Sequence, residues 1–165
     1  MKQVGHASNI VPLLLDSNNN EIIDKETLKT MITAQLSHSD GIRGFFVSYL
    51  TGEGETTAAD EENVPSTLLE AMQSIETNDL ISLACMNVIM PVAMTSMHTD
   101  PVLSSNSGKT AKRGVKILKA ILDKPGTIEQ CQAIYNVAKG DIKDADNDKD
   151  IKVRLQSYMV YFLYK

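Results

Sequence analysis

An uncharged stretch of eighteen residues, 80–97, dominates the pattern of polar and apolar positions along the chain. A surface helix carries polar residues along one side, so a segment without charge all round lies either in a membrane or inside a helical bundle. Asn87 and Pro91 near its centre favour the bundle, because unsatisfied polar groups are costly in lipid. We therefore predict a central helix over 79–97, kinked or interrupted near Pro91, and no membrane span.

Apolar residues at helical spacing, each preceded by a start signal, predict four more helices around this one. A short further helix over 8–15 is compatible with the pattern if Pro12 stays in its first turn. The fold class is therefore all-α, a compact bundle of five to seven helices. The predicted starts are Asp24, Ser66, Asn78, Ser107 before a helix beginning near Gly108, and Thr127, which would form a capping box with Gln130.

Two segments fit strands as well as helices. Residues 41–51 and 151–164 are rich in aromatic and β-branched side chains. We predict helices for both, because isolated strands in a helical domain would lack partners. The alternative is an α+β fold with strands near 42–50 and 151–163.

The length of the chain, 165 residues, fits one domain over 1–165. Within it, residues 51–63 combine two glycines with several acids and offer little apolar surface, so we predict a flexible acidic loop there. The acids of this loop are Glu53, Glu55, Asp60, Glu61 and Glu62.

Charge and composition narrow the class of partner. The formal net charge is −5, tryptophan is absent and aromatic residues make up 5% of the chain. The composition therefore disfavours nucleic acid as a partner, because acidic residues outnumber the basic residues that bind phosphates, and the rings that stack on bases are scarce. Cys85 and Cys131 lie within apolar helical patterns, which predicts small hydrophobic roles, a reducing compartment and a cytoplasmic protein. No motif calls for a cofactor.

Four methionines spaced along one stripe of the central helix are the first candidate site. Such a stripe is typical of core packing, but it also suits the wall of an apolar ligand pocket with polar groups at its edge. The residues of this predicted pocket are Met86, Met90, Met94, Met97, His98 and Asp100.

Carboxylate-rich segments form a second candidate site, for calcium. Oxygen ligands at alternate positions suit a hard cation, but the glycine and the closing glutamate of a calcium loop are missing. Turn and cap roles for these residues are the simpler interpretation. The predicted ligands are Asp144, Asp146, Asp148 and Asp150, with residues 16–24 as a weaker second site.

A pair of similar triplets, His38-Ser-Asp40 and His98-Thr-Asp100, could in principle hold a metal or act in acid–base chemistry. Both triplets fall at predicted helix ends. Helix capping by these residues is therefore the favoured interpretation.

Basic residues on one side of the predicted helix from Gly108 form a third candidate site. They would dock an acidic partner, contact the acidic loop of the protein itself, or lie dispersed in solvent, and we favour dispersal. These residues are Lys109, Lys112, Arg113, Lys116 and Lys119.

Catalytic sequence motifs are absent, so the leading hypothesis is a cytoplasmic, non-catalytic protein–protein interaction or regulatory domain. Its partner would be another protein or a second copy of the chain, since the uncharged helix and an aromatic C-terminal segment suit a homo-oligomer. The alternatives are a small-molecule-binding or enzymatic bundle that uses the methionine-lined pocket, and a weak calcium-binding protein.

Overall fold

The computed structural model describes residues 2–15, 23–53, 57–76 and 78–139. In these ranges the chain forms seven α-helices, one short 3-10 helix at Val11–Leu14, and no strand, which confirms the all-α fold class. The helices are α1 (Lys2–Ile10), α2 (Lys25–Gln35), α3 (Ser39–Thr51), α4 (Ser66–Ser74), α5 (Asn78–Met97), α6 (Pro101–Ala120) and α7 (Thr127–Lys139).

Helix α3 resolves one of the two ambiguous segments. The alternative prediction of a strand near 42–50 is wrong, because these residues form a helix. Its side chains Phe45, Phe46 and Tyr49 are buried in the core. The rings of Phe45 and Tyr49 stack with centroids 5.6 Å apart. The second ambiguous segment, 151–164, lies outside the described residues.

The core is a single cluster of apolar side chains from α1 to α6 and the segments between them. Helix α5 contributes its first half to this core, and α6 packs along α5 to form a helical hairpin. The largest fully buried side chains are Leu28, Ile32, Leu36, Ile42, Phe45, Phe46, Leu50, Leu68, Met72, Leu80, Ile117 and Ile121.

Helix α5 departs from the prediction in two respects. A kink or an interruption was predicted near Pro91; the helix continues through this residue, so the interruption is wrong. It is also central only in its first half, where Leu80, Ala84 and Val88 are buried. By length and composition alone the helix could cross a membrane, and 28% of that apolar window is buried against the rest of the chain.

Helix α6 begins seven residues before the predicted Gly108. Asp100 caps it, with its carboxylate accepting a hydrogen bond from the Val102 amide at 2.7 Å, and Pro101 follows in the first turn. Ser107 is therefore inside the helix, and its predicted role as a cap is wrong. The serines and glycine over 104–108 are weak helix formers, and this obscured the true start.

Two other predicted caps had different outcomes. The Asp24 cap is confirmed, because its carboxylate accepts a hydrogen bond from the Thr27 amide at 2.9 Å. The capping box at Thr127 is wrong, because the Gln130 amide donates to the carbonyl of Gly126 instead. The buried Thr127 hydroxyl has no hydrogen-bond partner in the described part of the chain.

Candidate functional site

The outer half of the α5–α6 hairpin exposes apolar side chains. Every residue from 89 to 110 is at least partly accessible to solvent, whereas buried residues occur on both sides, at Val88 and Ala111. Scattered exposed apolar residues are ordinary, but a cluster on one element marks a binding surface. The exposed fractions on this surface are Met90 52%, Met97 57%, Val102 65% and Leu103 48%.

A groove of about 840 Å³ lies between this hairpin and the end of α3. Its walls combine apolar side chains with neutral polar groups and a few charged ones, the mixture typical of ligand sites. Helix α5 contributes Asn87, Met90, Pro91 and Met94, helix α6 contributes Leu103, Asn106, Ser107, Lys109, Thr110 and Arg113, and the remaining lining is Thr51, Gly52, Glu53, Asp60 and His98.

The predicted pocket is thus partly assembled by the structure. Met90, Met94 and His98 line the groove, because they recur at helical spacing on one side of α5 and just beyond its end. Met86 and Met97 are exposed outside its lining, and Asp100 caps α6. The methionine stripe is therefore divided between the groove and the neighbouring open surface.

An ion pair between Arg113 and Asp60 belongs to the lining of the groove. The guanidinium binds the carboxylate through two hydrogen bonds, Nε to Oδ1 at 2.8 Å and Nη2 to Oδ2 at 2.6 Å. Its Nη1 amino group donates to the carbonyls of Leu50 and Gly52 at 2.8 and 3.0 Å. The hydrogen bonds from Arg113 are the main reason that the pKa of Asp60 is lowered to about 2.

The predicted basic face is not dispersed, so the interpretation that we favoured is wrong for two of its members. The Arg113 side chain is 9% exposed and pairs with Asp60, and the Lys116 ammonium donates to the carbonyl of Glu61. The acidic loop therefore folds against α6. The remaining members, Lys109, Lys112 and Lys119, are exposed.

The described part of the acidic loop makes more contacts with the rest of the protein than its composition suggested. Ala58 and Ala59 are buried, and the Tyr49 hydroxyl donates to the carbonyl of Ala58 at 3.2 Å. The expectation that little apolar surface pins this segment is therefore wrong for residues 57–63.

No three His, Cys, Asp or Glu side chains gather into a candidate metal site in the described part of the chain. Asp24 caps α2 and Asp40 pairs with Arg43 in the first turn of α3. The predicted calcium ligands Asp144, Asp146, Asp148 and Asp150 lie outside the described residues, as do residues 16–22.

Two buried cations were missed at the sequence level. Arg113 was grouped with exposed lysines, although it lies between the buried positions Ala111 and Gly114 on α6. Lys124 is buried just after α6, and its ammonium donates to the carbonyls of Gln73 and Ile75 at the end of α4. The one sequence signal for the burial of Arg113 was that its neighbours on α6 are apolar.

Comparison with known proteins gives a family and no further relatives. No curated protein and no solved structure matches the chain. A family model with the description "Uncharacterised conserved protein UCP020893" matches residues 5–147, which include every helix from α2 to α7 and most of α1. The chain belongs to this family of uncharacterised conserved proteins.

Proposed function

We propose that the protein is a non-catalytic interaction domain that self-associates through the outer half of the α5–α6 hairpin. The observation that carries this proposal is the exposure of Met90, Met97, Val102 and Leu103 on one pair of helices. Leaving these side chains in water costs free energy that burial against another protein surface would recover.

A second copy of the chain fits this surface because the hairpin offers both a ridge and a groove. Met97 and Val102 stand at its outer end, and Met90 and Met94 line the adjoining groove. In a two-fold arrangement, the ridge of each copy would enter the groove of the other. Both sets of apolar side chains would then be buried by a single contact.

Light scattering coupled to size-exclusion chromatography tests this proposal. We expect a dimer at high micromolar concentration, and a monomer after the double substitution Met97→Glu with Val102→Glu, because a dimer would bury both carboxylates. Val47→Glu is the matched control, since Val47 is an exposed apolar residue on α3, outside the hairpin. A wild-type protein that stays monomeric, or a control that dissociates equally, would contradict the proposal.

A second candidate function is the binding of a small amphipathic anion in the groove. Lys109, Asn106 and Ser107 of α6 line the groove together with the apolar side chains of Met90 and Met94 on α5. Fluorescence titration with 8-anilinonaphthalene-1-sulfonate should show weaker binding to Lys109→Gln than to Lys112→Gln, an exposed lysine on the same helix that does not line the groove. Equal affinities for the two variants would exclude this function for the groove.

A further inference from the structure

The two cysteines of the sequence face each other across a helix–helix contact. Cys85 lies in the first half of α5 and Cys131 in the first half of α7, with 46 residues of separation along the chain. Their Sγ atoms are 3.9 Å apart. Closing this gap to the roughly 2.0 Å of a disulfide is a movement of the scale that side-chain rotation provides.

The surroundings of the two thiols differ in a way that gives them separate chemical roles. Cys85 is 3% exposed within the apolar core, whereas Cys131 is only partly buried at its edge. A dissolved oxidant therefore meets Cys131 first. The contact with Cys85 lowers the pKa of Cys131, and the contact with Cys131 together with burial raises the pKa of Cys85.

We propose that Cys85 and Cys131 form a reversible redox site, in which a low-molecular-weight disulfide oxidises the pair to an intramolecular disulfide between α5 and α7. Cys131 is the attacking residue and Cys85 the resolving residue. This assignment follows from the contact between the two sulfur atoms and from the unequal access of solvent to them.

The reaction balances with glutathione disulfide as the oxidant. The Cys131 thiolate attacks one sulfur of glutathione disulfide, forms a mixed disulfide and releases the first glutathione as a thiolate. Cys85 then transfers its proton to this glutathione thiolate and attacks the sulfur of Cys131. The second glutathione leaves as a thiolate and takes up from water the proton that Cys131 had released. The two protein thiols lose two electrons and two protons, and glutathione disulfide becomes two molecules of glutathione.

The site is independent of self-association, because both cysteines belong to one chain and neither lines the groove. Its consequence is a covalent link that fixes α7 on the core.

Intact mass spectrometry of the full chain in graded glutathione redox buffers tests the proposal. We expect a loss of about 2 Da per chain under oxidising conditions, one Cys85–Cys131 linked peptide after digestion, and full recovery of both thiols with reductant. Persistent thiols, an intermolecular disulfide, or a stable glutathione adduct on the wild-type chain would overturn it.

Single substitutions assign the two roles. Cys85→Ser should accumulate the glutathione adduct on Cys131, because the resolving thiol is gone. Cys131→Ser should react at least tenfold more slowly, because the remaining thiol is in the core. Equal rates for the two variants would contradict the assignment, and the mass change of the wild-type protein gives a readout that needs no variant.

Discussion

Arg113 shows how one buried side chain joins three segments. Its guanidinium hydrogen-bonds to Asp60 in the acidic segment and to the carbonyls of Leu50 and Gly52 at the end of α3, while its backbone belongs to α6. A planar guanidinium can satisfy all these acceptors at once, whereas a lysine ammonium cannot match their geometry. The arrangement fixes the wall of the groove at the point where α3 ends.

Replacing Arg113 with methionine should therefore destabilise the protein. The substitution keeps most of the side-chain volume but leaves two carbonyls and the Asp60 carboxylate without their donor, and we expect a loss of about 2–4 kcal/mol in the free energy of unfolding. Urea denaturation measures this loss. Lys112→Met, at an exposed position one residue away, should change the same quantity by less than about 0.5 kcal/mol; equal losses would show that the ion pair has no special role.

The same ion pair predicts a dependence of stability on acid. Because the folded-state pKa of Asp60 is lowered to about 2, its contribution is complete above its unfolded-state pKa, near 4, and disappears as the pH falls towards 2. The carboxylate is 53% exposed, so we expect screening to limit this contribution to about 1 kcal/mol. The difference in unfolding free energy between wild type and Asp60→Asn should be present in full at pH 6 and mostly lost at pH 2.

Asp123→Asn supplies the control for the acid dependence, since Asp123 is exposed after α6. A difference between wild type and Asp60→Asn that stays constant from pH 6 to pH 2 would contradict the prediction.

At the scale of elements, the α5–α6 hairpin depends on a close approach at Gly114. A Cβ atom at this position would lie 2.9 Å from the carbonyl oxygen of Asn87 and 3.0 Å from a methyl group of Val88. The absence of a side chain therefore lets the two helices meet where the core ends.

Two glycine-to-alanine substitutions in α6 should have opposite effects. Gly114→Ala should cost about 1–3 kcal/mol, because the added methyl group separates α5 from α6. Gly108→Ala meets only a methyl group of Thr95 at 3.9 Å, so the better helix propensity of alanine should stabilise the protein by up to about 1 kcal/mol. Thermal unfolding distinguishes them, and a shift of the same sign for both variants would contradict this account of the contact.

Local sequence signals predicted helices better than they predicted helix ends. The aromatic segment was correctly predicted as helix α3, because isolated strands would have lacked partners. Asp24 correctly indicated the start of α2. Capping by the His98-Thr-Asp100 triplet was predicted and Asp100 does cap α6, but the start of α6 was missed because Ser107 was interpreted as its cap. Asp100 and Ser107 could cap a helix through the same kind of hydrogen bond, so only the contacts of α6 with α5 determine which of them does.

At the scale of the molecule, the sequence predicted some residues of the candidate site but did not predict how the fold brings them together. The spacing of Met86, Met90, Met94 and Met97 predicted a shared stripe. Only Met90 and Met94 of these line the groove, together with His98. The burial of Arg113 and the meeting of Cys85 with Cys131 depend on residues 46 or more positions apart, which periodicity within one helix cannot report. Tertiary packing, rather than local pattern, brings these groups together.

The boundary at Val88 and Ala111 also has an evolutionary meaning. Stability rests on the buried side chains that precede and follow the outer hairpin and on the Asp100 cap, whereas the exposed apolar side chains at the tip can be replaced at little cost to the fold. Selection can therefore alter the side chains at Met97, Val102 or Leu103, and with them the choice of partner, while the packing of the core is inherited unchanged.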